Sequence, residues 1–193
     1  MTTERYDTKT KILETAAGII GKERNLNLTI REIATRADVN IASVNYHFGS
    51  KEKLLEEVEM LLIEKIRHIY TNIHNYDQST RERLINWADS LIKHLIDYPG
   101  IIYLIGTQVL EKENTGLSIY LHLLETDIKP LVKKLTGDTD ETAVSYKVLQ
   151  LISGIVYPVL IYSSNNETAV INIGDTVIRG KYVTSLVNSI EKG

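Results

Sequence analysis

Residues 28–54 read "LTIREIATRADVNIASVNYHFGSKEKL", and two short amphipathic helices joined by a tight turn are legible in them. Ile30, Ile33, Ala34 and Ala37 recur at i, i+3, i+4 and i+7, which is one face of an α-helix. Thr29, with Glu32 three residues on, has the form of a capping box, in which side chains satisfy backbone N–H groups that a helix start leaves open. Asp38 falls where the chain needs a left-handed residue, a conformation Asp tolerates though Gly suits it better. Val39 is the apolar plug beneath that turn. Asn40 is a natural N-cap for a second helix over 41–48, in which Val44 and Phe48 face inward. Ile41, Ala42, Ser43, Asn45, Tyr46 and His47 then face outward, on a helix about 12 Å long that matches the width of a DNA major groove.

The rest of the composition frames this motif. The chain has 193 residues, 43% hydrophobic and 24% charged, enough for one large or two small domains. It has no cysteine, which excludes disulfides, thiolate metal sites and cysteine nucleophiles. No cationic start leads into an apolar segment, and no uninterrupted apolar run approaches the roughly 18 to 20 residues of a membrane span. A cytoplasmic location with no membrane partner is therefore expected. The net charge is −3, but residues 1–53 carry nine Lys or Arg against seven Asp or Glu, so the head is slightly basic and the remainder acidic. That asymmetry supports a phosphate-facing head without establishing one.

Helical periodicity runs nearly from end to end, and the fold class expected is all-α with about nine helices. They fall near 8–23, 30–37, 41–48, 51–75, 80–97, 101–112, 116–134, 140–163 and 175–191. Ser79 with Glu82 forms a second capping box. "DYPG" at 97–100, "TGDTD" at 136–140 and "SSNN" at 163–166 supply breaks, and "TAVINI" at 168–173 reads as loop. A helix-turn-helix domain over 1–50 and a helical body over 51–193 are joined by one long helix starting near Lys51.

The segment "TIREIATRADVNIASVNYHFGSKEKL", preceded by the helix "TKTKILETAAGII", closely resembles the DNA-binding head of the TetR-like transcriptional regulators. Asp38 stands where the family usually has a turn glycine, and Asn40 where it often has Ser or Thr. The resemblance implies a three-helix head whose Thr29, Tyr46, His47 and Lys51 contact the sugar-phosphate backbone, with Asn40 opening the recognition helix. Ile41, Ala42, Ser43 and Asn45 would read bases: Asn pairs with adenine N6 and N7, and apolar groups suit a thymine methyl. It further implies a homodimer on double-stranded DNA with an inverted-repeat operator, by family default a repressor, released by a small-molecule effector and needing no cofactor or metal.

For the body, the resemblance implies that the last two long helices pair with their copies. Val144, Val148, Leu151, Ile152, Ile155, Val156, Val159 and Leu160 cover more of one helix than a single core stripe needs, which agrees, and Ile155 is expected at the shared centre. Gly154 and Gly180 are expected to allow close helix approach, and Pro158 to bend its helix. Helices near 80–134 would enclose the effector, with Trp87, Tyr103, Tyr120 and Tyr157 as candidate lining residues. Two other classes compete. His94 with Asp97 and His122 with Glu125 could serve a helical metal-dependent enzyme; a DNA-independent dimeric adaptor would keep the dimer helices but has no need for "SVNYHFGSK".

Overall fold

The computed structural model describes residues 2–25, 27–111, 115–163 and 171–192. Every regular element among them is helical: α1 (Thr2–Gly21), α2 (Ile30–Arg36), α3 (Ile41–Phe48), α4 (Lys51–Thr71), a 3₁₀ turn (Asn72–His74), α5 (Thr80–Asp97), α6 (Gly100–Glu111), α7 (Thr115–Leu123), a π turn (Leu124–Ile128), α8 (Lys129–Thr136), α9 (Glu141–Ser163) and α10 (Thr176–Lys192). The all-α expectation holds. "SSNN" after Ser163 and most of "TAVINI" lie outside the described residues.

The chain forms two compact units, Met1–Glu64 with Tyr98–Gly116, and Lys65–Asp97 with Leu117–Gly193, and the boundary at residue 64 falls inside α4. In the first unit, Ile12, Ala16, Ile19 and Ile20 of α1 are buried with Leu28, Ile33, Ala34 and Val44. Gly100 begins α6 against α1: a Cβ there would meet the Ile20 carbonyl oxygen at 1.8 Å, so this approach is open to glycine alone.

The second unit is built around α5, whose Leu84, Trp87, Ala88, Leu91, Ile92 and Leu95 are all buried. Its start is the reciprocal capping box read in the sequence: Ser79 N–H donates to Glu82 Oε2 at 2.8 Å and Glu82 N–H to Ser79 Oγ at 3.2 Å. The Ser79 hydroxyl, which donates to Glu82 Oε2 at 2.7 Å, and the Ser79 N–H hold the Glu82 carboxyl below the usual carboxylate range. The single helix expected over 116–134 contains the π turn because Pro130 has no N–H for the Thr126 carbonyl, and a wider turn re-routes the ladder. Gly137, left-handed at φ +74°, then ends α8.

Helix α9 packs on α5, α8 and α10 through Val144, Val148, Leu151, Ile155 and Val159. Ile155 is completely buried there, in its own subunit's core, so it does not lie on an intersubunit surface as expected. Of the expected close approaches, Gly154 makes one, since a Cβ would meet Leu186 Cδ1 at 2.5 Å, while Gly180 faces open space. Pro158 lies inside α9 and cannot donate to the Gly154 carbonyl four residues back; the Tyr182 hydroxyl of α10 donates to it instead, at 2.6 Å. Tyr182→Phe orphans that carbonyl and is expected to cost about 1 kcal/mol or somewhat more. Urea unfolding checks this, as a lowered midpoint with an unchanged slope.

The other side of α9 carries Tyr146, Leu149 and Tyr157, exposed by 63%, 64% and 66%, with Gln150 and Ser153 between them. These positions follow i, i+3, i+4, i+7 and i+11, a straight stripe. Val177 and Ile178 of α10 are also exposed. By length and composition α9 could cross a membrane, and only 28% of its most apolar window is buried.

Candidate functional site

The helix-turn-helix geometry follows residue by residue from the sequence. Thr29, extended at φ −108° and ψ 152°, caps α2 by accepting the Glu32 N–H at 3.1 Å, which leaves its hydroxyl proton for an outside acceptor. Glu32 does not return the bond; its carboxylate holds Arg36 at 3.0 Å. Asp38 is left-handed at φ +51°, as its place in the turn predicts. Around it Val39 N–H donates to Ala34 O at 3.0 Å and Asp38 N–H to Thr35 O at 3.2 Å, the paired bonds of a Schellman motif that satisfy the last carbonyls of α2.

Asn40 caps α3 through Oδ1, which accepts both the Ser43 N–H at 2.7 Å and the Ser43 hydroxyl at 3.0 Å. Ser43 therefore spends its proton at the helix start and meets an outside group only as an acceptor. Val44 and Phe48 are buried, while Ile41, Ala42, Asn45 and Tyr46 form one exposed strip at i, i+1, i+4 and i+5, with Ser43 and His47 half-buried beside it. The Tyr46 and His47 rings meet edge to face at 5.3 Å. Gly49, at φ +76°, ends α3 and delivers the chain to Ser50 and Lys51 at the start of α4. Glu52 is held below the usual carboxylate range by a backbone N–H at that helix start and by the Ser50 hydroxyl. The acid is thus folded onto the helix end. Elsewhere in the head Lys9 is held by Glu57 at 2.7 Å and Arg36 by Glu23 and Glu32, so their charge is partly compensated.

In the second unit the candidate lining residues separate. Trp87 is 1% exposed and packs edge to face on Tyr70, itself 2% exposed, with ring centroids 5.6 Å apart. Tyr120, on α7, acts electrostatically on Tyr70, and burial pushes the hydroxyls of both well above the ordinary tyrosine range. Asp127 in the π turn also acts on Tyr70 and is met by His74 Nε2 at 3.3 Å. Tyr157 points away, on the exposed stripe of α9, and Tyr103 belongs to the other compact unit. Tyr70 was absent from the candidates although Ile63, Ile66, Tyr70 and Ile73 share one helical stripe, a spacing that marks a tyrosine turned inward.

Residues 12–58 match the family described as "Bacterial regulatory proteins, tetR family". That segment of the chain is a TetR-type head. The "Probable HTH-type transcriptional regulator YttP" of Bacillus subtilis is 30% identical over 92 residues, 47% of this chain and 44% of that protein. The HTH-type transcriptional regulator BetI of Agrobacterium fabrum is 24% identical over 149 residues, 75% of this chain and 72% of its own. In fold, the chain is similar to a TetR transcriptional regulator from Legionella pneumophila, with a TM-score of 0.67, 22% identity and 94% of each chain covered. The relatives are transcriptional regulators, which sets the enzyme alternative aside. The two histidine pairs have ordinary surroundings: His122 is exposed, and His94 is pushed below the usual histidine range by burial and by Lys65.

Proposed function

We propose that the protein is a ligand-responsive transcriptional regulator, by family default a repressor, that binds an inverted-repeat operator as a homodimer in the cytoplasm and is released by a small-molecule effector. In this reading residues 1–50 are the DNA-binding domain and 51–193 the ligand-binding and dimerisation domain. The observation that carries it is the exposed strip of α3, flanked by the capped start of α2 at Thr29 and the start of α4 at Lys51. Helix starts offer open N–H groups and a positive dipole end, which suit phosphate. Tyr46, His47, Thr29 and Lys51 hold the backbone, and Asn40 sets the recognition helix. Asn45, with Ile41 and Ala42, reads base edges, while Ser43 contributes an acceptor only.

The dimer reading is supported by Tyr146, Leu149 and Tyr157 on the exposed stripe of α9, which one chain leaves in water. A second copy meeting it about a twofold axis covers the same stripe on both subunits.

The DNA reading is tested by salt-dependent titration. Tyr46→Ala and Lys51→Ala are expected to weaken binding to every sequence alike, and Lys51→Ala also to reduce the salt slope by about one unit because one phosphate contact is lost. Asn45→Ala is expected to change the preferred sequence in a selection from random duplexes. An unchanged consensus removes Asn45 as a base reader.

A further inference from the structure

Two buried polar groups in the second unit lack what burial normally demands. Tyr70 Oη and Trp87 Nε1 have no hydrogen-bond partner in the described structure. The indole N–H lies near enough to the Tyr70 hydroxyl to act on it, yet the two do not reach hydrogen-bond geometry. An unmade buried hydrogen bond costs about 1 to 3 kcal/mol per group, so two side by side in a core call for a partner that arrives.

The surroundings define that partner. Trp87, Tyr70 and Tyr120 present three donors beside aromatic faces, and Ile66, Leu84 and Leu91, one helical turn away along the same elements, are buried apolar residues. Asp127 opposes negative charge at Tyr70, and burial opposes charge of either sign. The same unit has a cleft of about 450 Å³ lined by Thr71, His74, Asn75, Gln78, Asn86 and Ser90, of which Thr71 and Asn86 are the chain neighbours of Tyr70 and Trp87. His74, in the lining of that cleft, is the partner of Asp127, which lies in the π turn.

We propose that Tyr70, Trp87 and Tyr120 form the binding site for an uncharged ligand with a flat apolar body and one hydrogen-bond-accepting oxygen, which enters by the cleft and takes the Trp87 N–H and the Tyr70 O–H. This rests on the reading of the protein as effector-responsive and gives that effector a chemistry and an address.

Trp87 is the only tryptophan in the chain, so a ¹⁵N-labelled sample gives a single indole N–H cross-peak that reports this site alone. The probes are acetophenone, which carries the acceptor; ethylbenzene, of similar shape without it; and benzoate, an anion of similar shape. Acetophenone is expected to move the cross-peak downfield and to saturate, with ethylbenzene and benzoate binding at least several-fold more weakly and giving no downfield shift. Tyr70→Phe is expected to weaken acetophenone by about 3- to 10-fold, the worth of one net hydrogen bond, and to leave the melting temperature of the unliganded protein unchanged or raised. Equal binding of acetophenone and ethylbenzene, or no saturable shift, overturns the proposal. A Tyr70→Phe protein that melts lower and binds acetophenone as before also overturns it, since the hydroxyl then has an internal partner. Titration of the unliganded protein on an inverted-repeat duplex decides the regulator reading separately: a protein that holds acetophenone but binds no DNA keeps this site and loses that function.

Discussion

Inserting five base pairs between the two halves of the inverted repeat is expected to lower the affinity of the protein to that of an isolated half-site. One head has a recognition helix of two turns, Ile41–Phe48, and residues 1–53 carry only two more cations than anions. Lys9 and Arg36 are moreover held by Glu57, Glu23 and Glu32, leaving a small phosphate footprint for a single head. Specific binding therefore needs two heads, each raising the local concentration of the other at its half-site, a gain of about 10²- to 10⁴-fold where the geometry allows both to engage. A twofold dimer fits half-sites facing the same side of the duplex, about 34 to 36 Å apart or a little more. Five base pairs rotate one half-site by about half a helical turn, to the opposite side. Gel-shift titrations on the half-site, the intact repeat and the interrupted repeat measure this directly. Undiminished affinity on the interrupted repeat removes the rigid twofold arrangement, whereas a collapse to the half-site value supports it.

How much of this was legible in the sequence depended on whether the information was local. The head was read almost completely because its signals act within four residues. Thr29 caps α2 and Asn40 caps α3, Asp38 sits left-handed between the two helices, and Val44 and Phe48 set the phase that turns Ile41, Ala42, Asn45 and Tyr46 outward. The reach of Asn40 to the Ser43 hydroxyl is just as local, yet it was missed because only coordinates decide which rotamer Ser43 adopts. The aromatic cluster is another kind of problem. Tyr70, Trp87, Tyr120 and Asp127 come from four elements, and no spacing in the chain says that they meet. Gly154 and Gly180 looked alike in sequence, but Leu186 sits over one and nothing over the other. Helix α9 is apolar nearly all round, so its pattern announced two buried surfaces without saying which residue served which. That phase is set by where α5, α8 and α10 pack, which turns Ile155 into the core and Tyr157 to the exposed side.

The assignment of faces on α9 has a sharp consequence for assembly. Leu149→Glu is expected to yield a folded monomer, and Ile155→Glu a protein that fails to fold. Leu149 is 64% exposed in the single chain, so a carboxylate there remains hydrated and the subunit core, formed by Val144, Val148, Leu151, Ile155 and Val159, is untouched. In the proposed dimer the same position is covered twice, once on each subunit. Two carboxylates are then stripped of water in an apolar surface without a cation, at a cost of several kcal/mol for the pair, which corresponds to at least a 10²- to 10³-fold weaker association. Ile155 is completely buried before any partner arrives, so Ile155→Glu places that desolvation in the folding equilibrium, where several kcal/mol is a large share of the roughly 5 to 15 kcal/mol that holds a domain together. Light scattering combined with far-ultraviolet circular dichroism separates the two outcomes. A helical, cooperatively melting Leu149→Glu protein at about the 21.9 kDa of one chain is the expected result. The same protein found dimeric at low micromolar concentration means that the exposed stripe of α9 is not where the subunits meet. The monomer is also expected to bind the intact inverted repeat no better than a half-site, because each head keeps its recognition helix and loses only its partner.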